Sequence, residues 1–287
     1  MMRYAVALGA ALLLGGAAQP SADQAAQPRW HLDGSTTRCV LTRRLAGTPG
    51  PAAFILRTLP GSGTYDVMLA VPDLGRGIGR VRISTAPDGA THEQRVMTVD
   101  LPRGLGEALA IPYLPASFSA DFSRASRLAL ADAEGRPLGS WTLPAAARAA
   151  EALAACETEK LVEWGADPAA LEPGATPPRP IGDPARWLEP RDLGLGDLMT
   201  AATVAAVFRL TLAADGRATD CTILESAGSI EIDRGACRAL VRRARYEPAR
   251  DRNGNAVRSV AIHRLASETS GPRVTRSWGA SVPSPAR

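Results

Sequence analysis

Histidine is scarce in this chain: three residues in 287, His31, His92 and His263, lie far apart. No Ser, Cys or carboxylate group stands in a recognisable nucleophile or metal motif, so the sequence points to no enzyme. Cysteine is almost as rare, with four residues and no Cys-x-x-Cys, which excludes thioredoxin-type redox chemistry. A zinc site needs about four clustered ligands, and His263 stands alone in its region. Lysine is nearly absent, Lys160 being the only one, so Arg carries the formal net charge of +4. In a chain crowded with Ala, Gly and Pro this reads as a composition bias rather than a nucleic-acid patch. The glycines at 75–79 (GRGIG) lack the spacing of a dinucleotide loop and read as a turn. Neither cofactor nor metal is expected. Long apolar runs are also missing beyond the first 20 residues, which leaves no other candidate for a spanning helix.

What is present is enough apolar material, 45%, for a core in each of two domains. The chain opens MMRYAVALGAALLLGGAAQP, an Arg, an uncharged apolar run and then small residues, the pattern of a signal peptide over residues 1–18. The alternative is a leader retained as an inner-membrane anchor, and only then is membrane contact expected. An exported chain with an even cysteine count is read first as disulfide-bonded.

Residues 30–165 form the first unit. Short alternating segments at 36–42, 53–57, 65–71, 79–84, 94–99, 118–122 and 127–130 are separated by Pro, Gly and Asp, which predicts a β-rich sandwich or barrel. From Leu143 to Trp164 the period becomes helical, with Ala149, Leu153, Cys156, Leu161 and Trp164 close to one face and Gly165 placed to end the helix. Cys156 on that stripe and Cys39 in the first β segment are expected to pair. Residues 166–190 hold seven prolines and read as a semi-rigid linker, bounded at about 75 Å if fully extended.

The second unit spans 191–267, followed by a basic tail, 268–287, expected to be disordered. Residues 205–212 and 218–225 alternate as strands around Asp215-Gly216, a hairpin signal. A helix with Asp233 near its start carries Ile232, Ala236, Cys237, Leu240, Val241 and Ala244 on one face. Val257–Leu265 reads as a third strand. Cys221 and Cys237 are both aimed at the core between sheet and helix, which predicts a second disulfide. The Arg-rich run 242–252 is interleaved with Glu247 and Asp251, and reads as an exposed helix end more readily than as an anion site.

Asp215-Gly216 in the hairpin, Ser226-x-Gly228, Asp233 at the helix start and Tyr246-x-Pro248-Ala249 after it carry a resemblance. Their order and spacing resemble the C-terminal domain of TonB-type energy transducers, within an exported subset with paired cysteines. The resemblance covers about 80 residues, from Trp187 to Ser267. It implies a small α+β domain of hairpin, helix and third antiparallel strand, whose edge strand binds an extended segment of an outer-membrane transporter or other envelope protein in the periplasm. The matching residues are Val257, Arg258, Ser259, Val260, Ala261, Ile262, His263, Arg264 and Leu265; the alternative is an edge protected by its charges. The chain departs from a full transducer in its cleavable-looking leader, globular β domain and short linker, and Arg191-Asp192-Leu193 stands where a Tyr-Pro pair is usual. The other functional reading is a structural envelope protein in contact with the cell wall.

Overall fold

The computed structural model describes residues 29–34, 37–71, 74, 78–101, 106–193 and 203–268, without the side chains of the last strand's end or of Thr203 and Val204. The leader, the tail from 269 onward and most of the 75–79 turn lie outside the described residues.

The N-terminal domain holds β1 (His31–Asp33), β2 (Cys39–Leu45), β3 (Gly47–Thr48), β4 (Ala52–Thr58), β5 (Thr64–Ala70), β6 (Arg80–Ala86), β7 (His92–Arg95), β8 (Met97–Asp100), β9 (Glu107–Pro115), β10 (Arg127–Asp132) and β11 (Pro137–Thr142), with helices α1 (Ala116–Arg124) and α2 (Ala146–Glu163). The strands form two antiparallel sheets, ordered β1-β2-β4-β5-β9-β8 and β3-β11-β10-β6-β7. Alternation decides which side chains go in. Phe54 and Leu56 from one sheet and Val81, Ile83, Leu128 and Leu130 from the other meet in one core with Trp141.

Two expectations change. Residues 118–122, read as a strand, are in α1: Phe118 and Phe122 are four apart, so the spacing that suits alternation also fits one helical face, and both rings are buried. The single segment at 94–99 is two strands that belong to different sheets, β7 on β6 and β8 on β9, with the chain crossing between layers at Val96.

Helix α2 buries Ala149, Leu153, Cys156 and Leu161, and Gly165 at φ 101° ends it in the left-handed region. Cys156 is bonded to Cys39 in β2, which ties the helix to the sheet.

The C-terminal domain contains β13 (Thr203–Leu212), β14 (Ala218–Glu225), helix α3 (Ile230–Arg243) and β18 (Ser259–Glu268), preceded by β12 (Arg179–Pro180) and joined through β15 (Tyr246–Glu247), β16 (Ala249–Arg250) and β17 (Ala256–Val257). Its main sheet is antiparallel in the order β14-β13-β18. Helix α3 lies over β14 and β13, and the Cys221–Cys237 disulfide joins it to β14. The Ser-x-Gly turn has a physical function: the buried Asp233 carboxylate accepts from Ser226 Oγ at 2.6 Å and Ala227 N–H at 2.8 Å, which fixes the turn to the helix start. Gly216 is also specified, since at φ 80° a Cβ would meet the Tyr246 carbonyl oxygen at 1.9 Å.

Residues 166–190 do not form the spacer expected from their prolines. They run against the C-terminal domain: β12 pairs with β15, Thr176 and Arg250 exchange backbone hydrogen bonds, and Trp187 enters the core with Tyr246 and His263. Proline stiffens a chain and limits its pairing, but it leaves the intervening Ala and Trp side chains free to pack. Asp192 then closes the wrap. Its carboxylate takes a bidentate contact from Arg243, at 2.5 and 3.2 Å, which holds its pKa below the usual carboxylate range despite an opposing effect of burial.

Candidate partner-binding site

Strand β18 lies at an edge of its sheet. It pairs with β13 from Leu212↔Ser259 to Thr203↔Glu268, and no strand pairs with its other side among the described residues. The predicted strand Val257–Leu265 is in fact divided: Val257 belongs to β17, opposite Ala249, and the Arg258 carbonyl accepts from Asp167 N–H at 3.1 Å, so that the uninterrupted edge begins at Ser259.

Period 2 sends the β18 side chains to two different neighbours. Ala261, His263 and Leu265 face the helix side. His263 is buried beneath Trp187, 5.7 Å between ring centroids, and burial pushes its pKa down to about 4, so it stays neutral. Val260, Ile262 and Arg264 face the other way. There Val260, Ile262 and Val207 pack against Leu59, Leu161, Trp164 and Ala166, at a seam between the two domains. Arg209 lies over the Trp164 ring at 5.4 Å, and Arg38 pairs with Glu225 across the same seam. The predicted site residues therefore come together as one strand, yet Val260, Ala261, Ile262, His263 and Leu265 are buried. Their whole-residue exposure is 1 to 4%, so the unpaired backbone edge is covered there as well, and Arg264 is the residue of Ser259–Leu265 that stays partly open.

The turn after β4 supports the seam from below. Gly61 sits at φ 79° against Leu161 and Ile262, where the lack of a side chain permits the close approach. Half-buried Glu157 in α2 holds the strands that flank the turn: Thr58 Oγ1 donates to its carboxylate at 2.9 Å and Tyr65 Oη at 3.1 Å. Burial raises the Glu157 pKa to about 7 against the two hydroxyl donors, and burial together with the Glu157 charge pushes Tyr65 up.

Sequence reasoning missed four residues here. Tyr113, Asp66 and Thr64 from the N-terminal domain stand close to Arg264, and Glu157 braces the turn. One signal was available for Tyr113: the Pro-Tyr pair interrupting an apolar strand marks a bulge. Elsewhere, an open trough of about 690 Å³ on the outer face of the second sheet is lined by Arg82, Ser84, Ala129, Leu138 and neighbours, away from β18.

Residues 204–263, the span of β13, β14, α3 and the first half of β18, match the family model described as Gram-negative bacterial TonB protein C-terminal. No curated protein and no solved structure matches the chain. The hairpin with its Asp-Gly turn, the Asp233-braced helix and the edge strand are the parts on which that match falls. Residues 204–263 are thus identified as a TonB C-terminal domain.

Proposed function

We propose that this protein is a periplasmic binding protein, not an enzyme, which takes an extended segment of an envelope partner as an added strand on the outer edge of β18. An outer-membrane transporter segment is the first candidate partner, and the role is in transport across the envelope. The observation that carries the reading is that β18 pairs with β13 along ten residues, while no strand pairs with its other side among the described residues. An edge of that kind is the template for strand addition, in which a guest displaces what covers Ser259–His263 and takes up the main-chain donors and acceptors. The family match supports the same mode. The leader and the two disulfides support export.

Amide hydrogen exchange tests it directly. A transporter-derived peptide is expected to slow exchange at alternate amides between Ser259 and Leu265, those that point away from β13, and to leave the inward set unchanged. Saturating peptide with no change at these amides would sink strand addition.

A further inference from the structure

The N-terminal domain brings a side chain of its own to Arg264 of the edge strand β18. Opposite Tyr65–Val67 strand β9 carries a bulge, and Tyr113 in it has φ 58°, a left-handed backbone that a tyrosine rarely adopts. Bulges re-aim side chains, and strain of this kind persists only where the surroundings hold it. Here the hold is visible: the Tyr113 N–H donates to Asp66 Oδ1 at 3.1 Å, and Asp66 in turn accepts from Arg57 at 3.0 Å. Tyr113 so placed is 57% exposed, and the Arg264 guanidinium lies over its ring at 5.4 Å.

Arg264 is the β18 residue whose head group reaches this place. Among the described residues its guanidinium makes one hydrogen bond, a long one to Thr64 Oγ1 at 3.4 Å, and no carboxylate stands within ion-pairing distance. The nearby acids are engaged elsewhere, Asp66 with Arg57 and Arg38, and Glu225 with Arg38. Burial holds the Arg264 pKa below its ordinary range, with the Arg38 charge adding to the effect and Tyr113, Asp66 and Glu225 opposing it. A partly desolvated guanidinium stacked on an exposed ring, beside an unpaired strand edge, is complementary to a carboxylate arriving on that edge.

We infer that Tyr113 and Arg264 form a two-domain subsite that selects a partner segment bearing an acidic side chain, its carboxylate on the Arg264 guanidinium and its neighbouring residue against the Tyr113 ring. The inference rests on the strand-addition reading above. It makes the N-terminal domain part of the recognition surface rather than a support for it.

The test is a selection from a random-decapeptide display library on the immobilised full chain, repeated with Arg264→Gln and with Tyr113→Gly. Glycine suits the left-handed backbone at 113, so that variant removes the ring without endangering the fold. The expected result is enrichment of strand-like sequences with Asp or Glu at one fixed position, a preference lost with Arg264→Gln. Selected peptides should bind Tyr113→Gly about tenfold more weakly, and replacing their acid by its amide should cost the wild type about tenfold. Strand-like peptides that protect β18 amides yet show no acidic position, or the same position with Arg264→Gln, would overturn the subsite and leave strand addition standing. Enrichment of no peptide would overturn both.

Discussion

In the N-terminal domain each sheet faces another sheet, so the core that Phe54, Ile83 and Trp141 share is closed within the domain. Among its described residues the C-terminal domain has one three-stranded sheet, two short strand pairs and one α-helix, and α3 covers one face of the main sheet over β14 and β13. The remaining surfaces are completed from outside the matched family segment: Trp187, Leu188 and Leu193 extend the helix-side layer, and Leu59, Leu161 and Trp164 cover the other face. A module of this size is marginal on its own surface-to-volume ratio. Its burial is therefore borrowed from the rest of the chain, and that places a foreign domain against the edge strand β18.

The largest test of this contrast removes the staples one at a time. The Cys39–Cys156 bridge closes 117 residues and the Cys221–Cys237 bridge 16. Replacing the first pair by Ala should lower stability by about 4 to 5 kcal/mol and the second by about 3 kcal/mol, read from urea midpoints. Equal losses would contradict the loop-length account. A middle-sized effect belongs to Glu157. Its folded pKa of about 7 lies above the ordinary 4.5 of a free side chain, so its stabilising contribution is complete below that lower value and disappears as pH rises through 7. Glu157→Gln should flatten the stability profile between about pH 4.5 and 7, and above pH 8 it should exceed the wild type by up to about 3 kcal/mol. A variant that keeps the wild-type slope would assign the pH response to other groups. The smallest effect comes from Leu161→Ala, at about 2 kcal/mol. Its value lies in where the change appears: exchange should accelerate in β18, across the seam, more than in β10 or β11 of its own domain. Acceleration confined to the N-terminal domain would mean that the seam does not stabilise the edge strand.

The parts of this fold legible in the sequence were those with local periodicity or a local turn code. The Asp215-Gly216 hairpin, the stripe of α3 and the partners of all four cysteines follow from spacing, because a strand or helix needs only its own neighbours to set its face. Residues 118–122 were not legible, since two Phe residues four apart satisfy both periods. The wrap at 166–190 was hidden for another reason: proline content reports backbone stiffness and says nothing of what Ala170, Ala175 and Trp187 will touch. The seam was the least legible of all, because Leu59, Leu161 and Val260 each look like ordinary core residues of their own elements. Tyr113 and Arg264 are 151 positions apart, and no spacing rule relates residues joined only by how two domains dock.

Hydrogen bonds in an antiparallel ladder run perpendicular to the strands. A pull along the axis of β18 therefore loads its bonds to β13 together, in shear, whereas a pull across the sheet would open them one by one. An added strand lying on the free edge shares that axis. With Ile262 keyed against Leu59 and Leu161, tension applied to the guest would pass through β18 into the disulfide-tied N-terminal body, and the joint between the two domains becomes a mechanical anchor point.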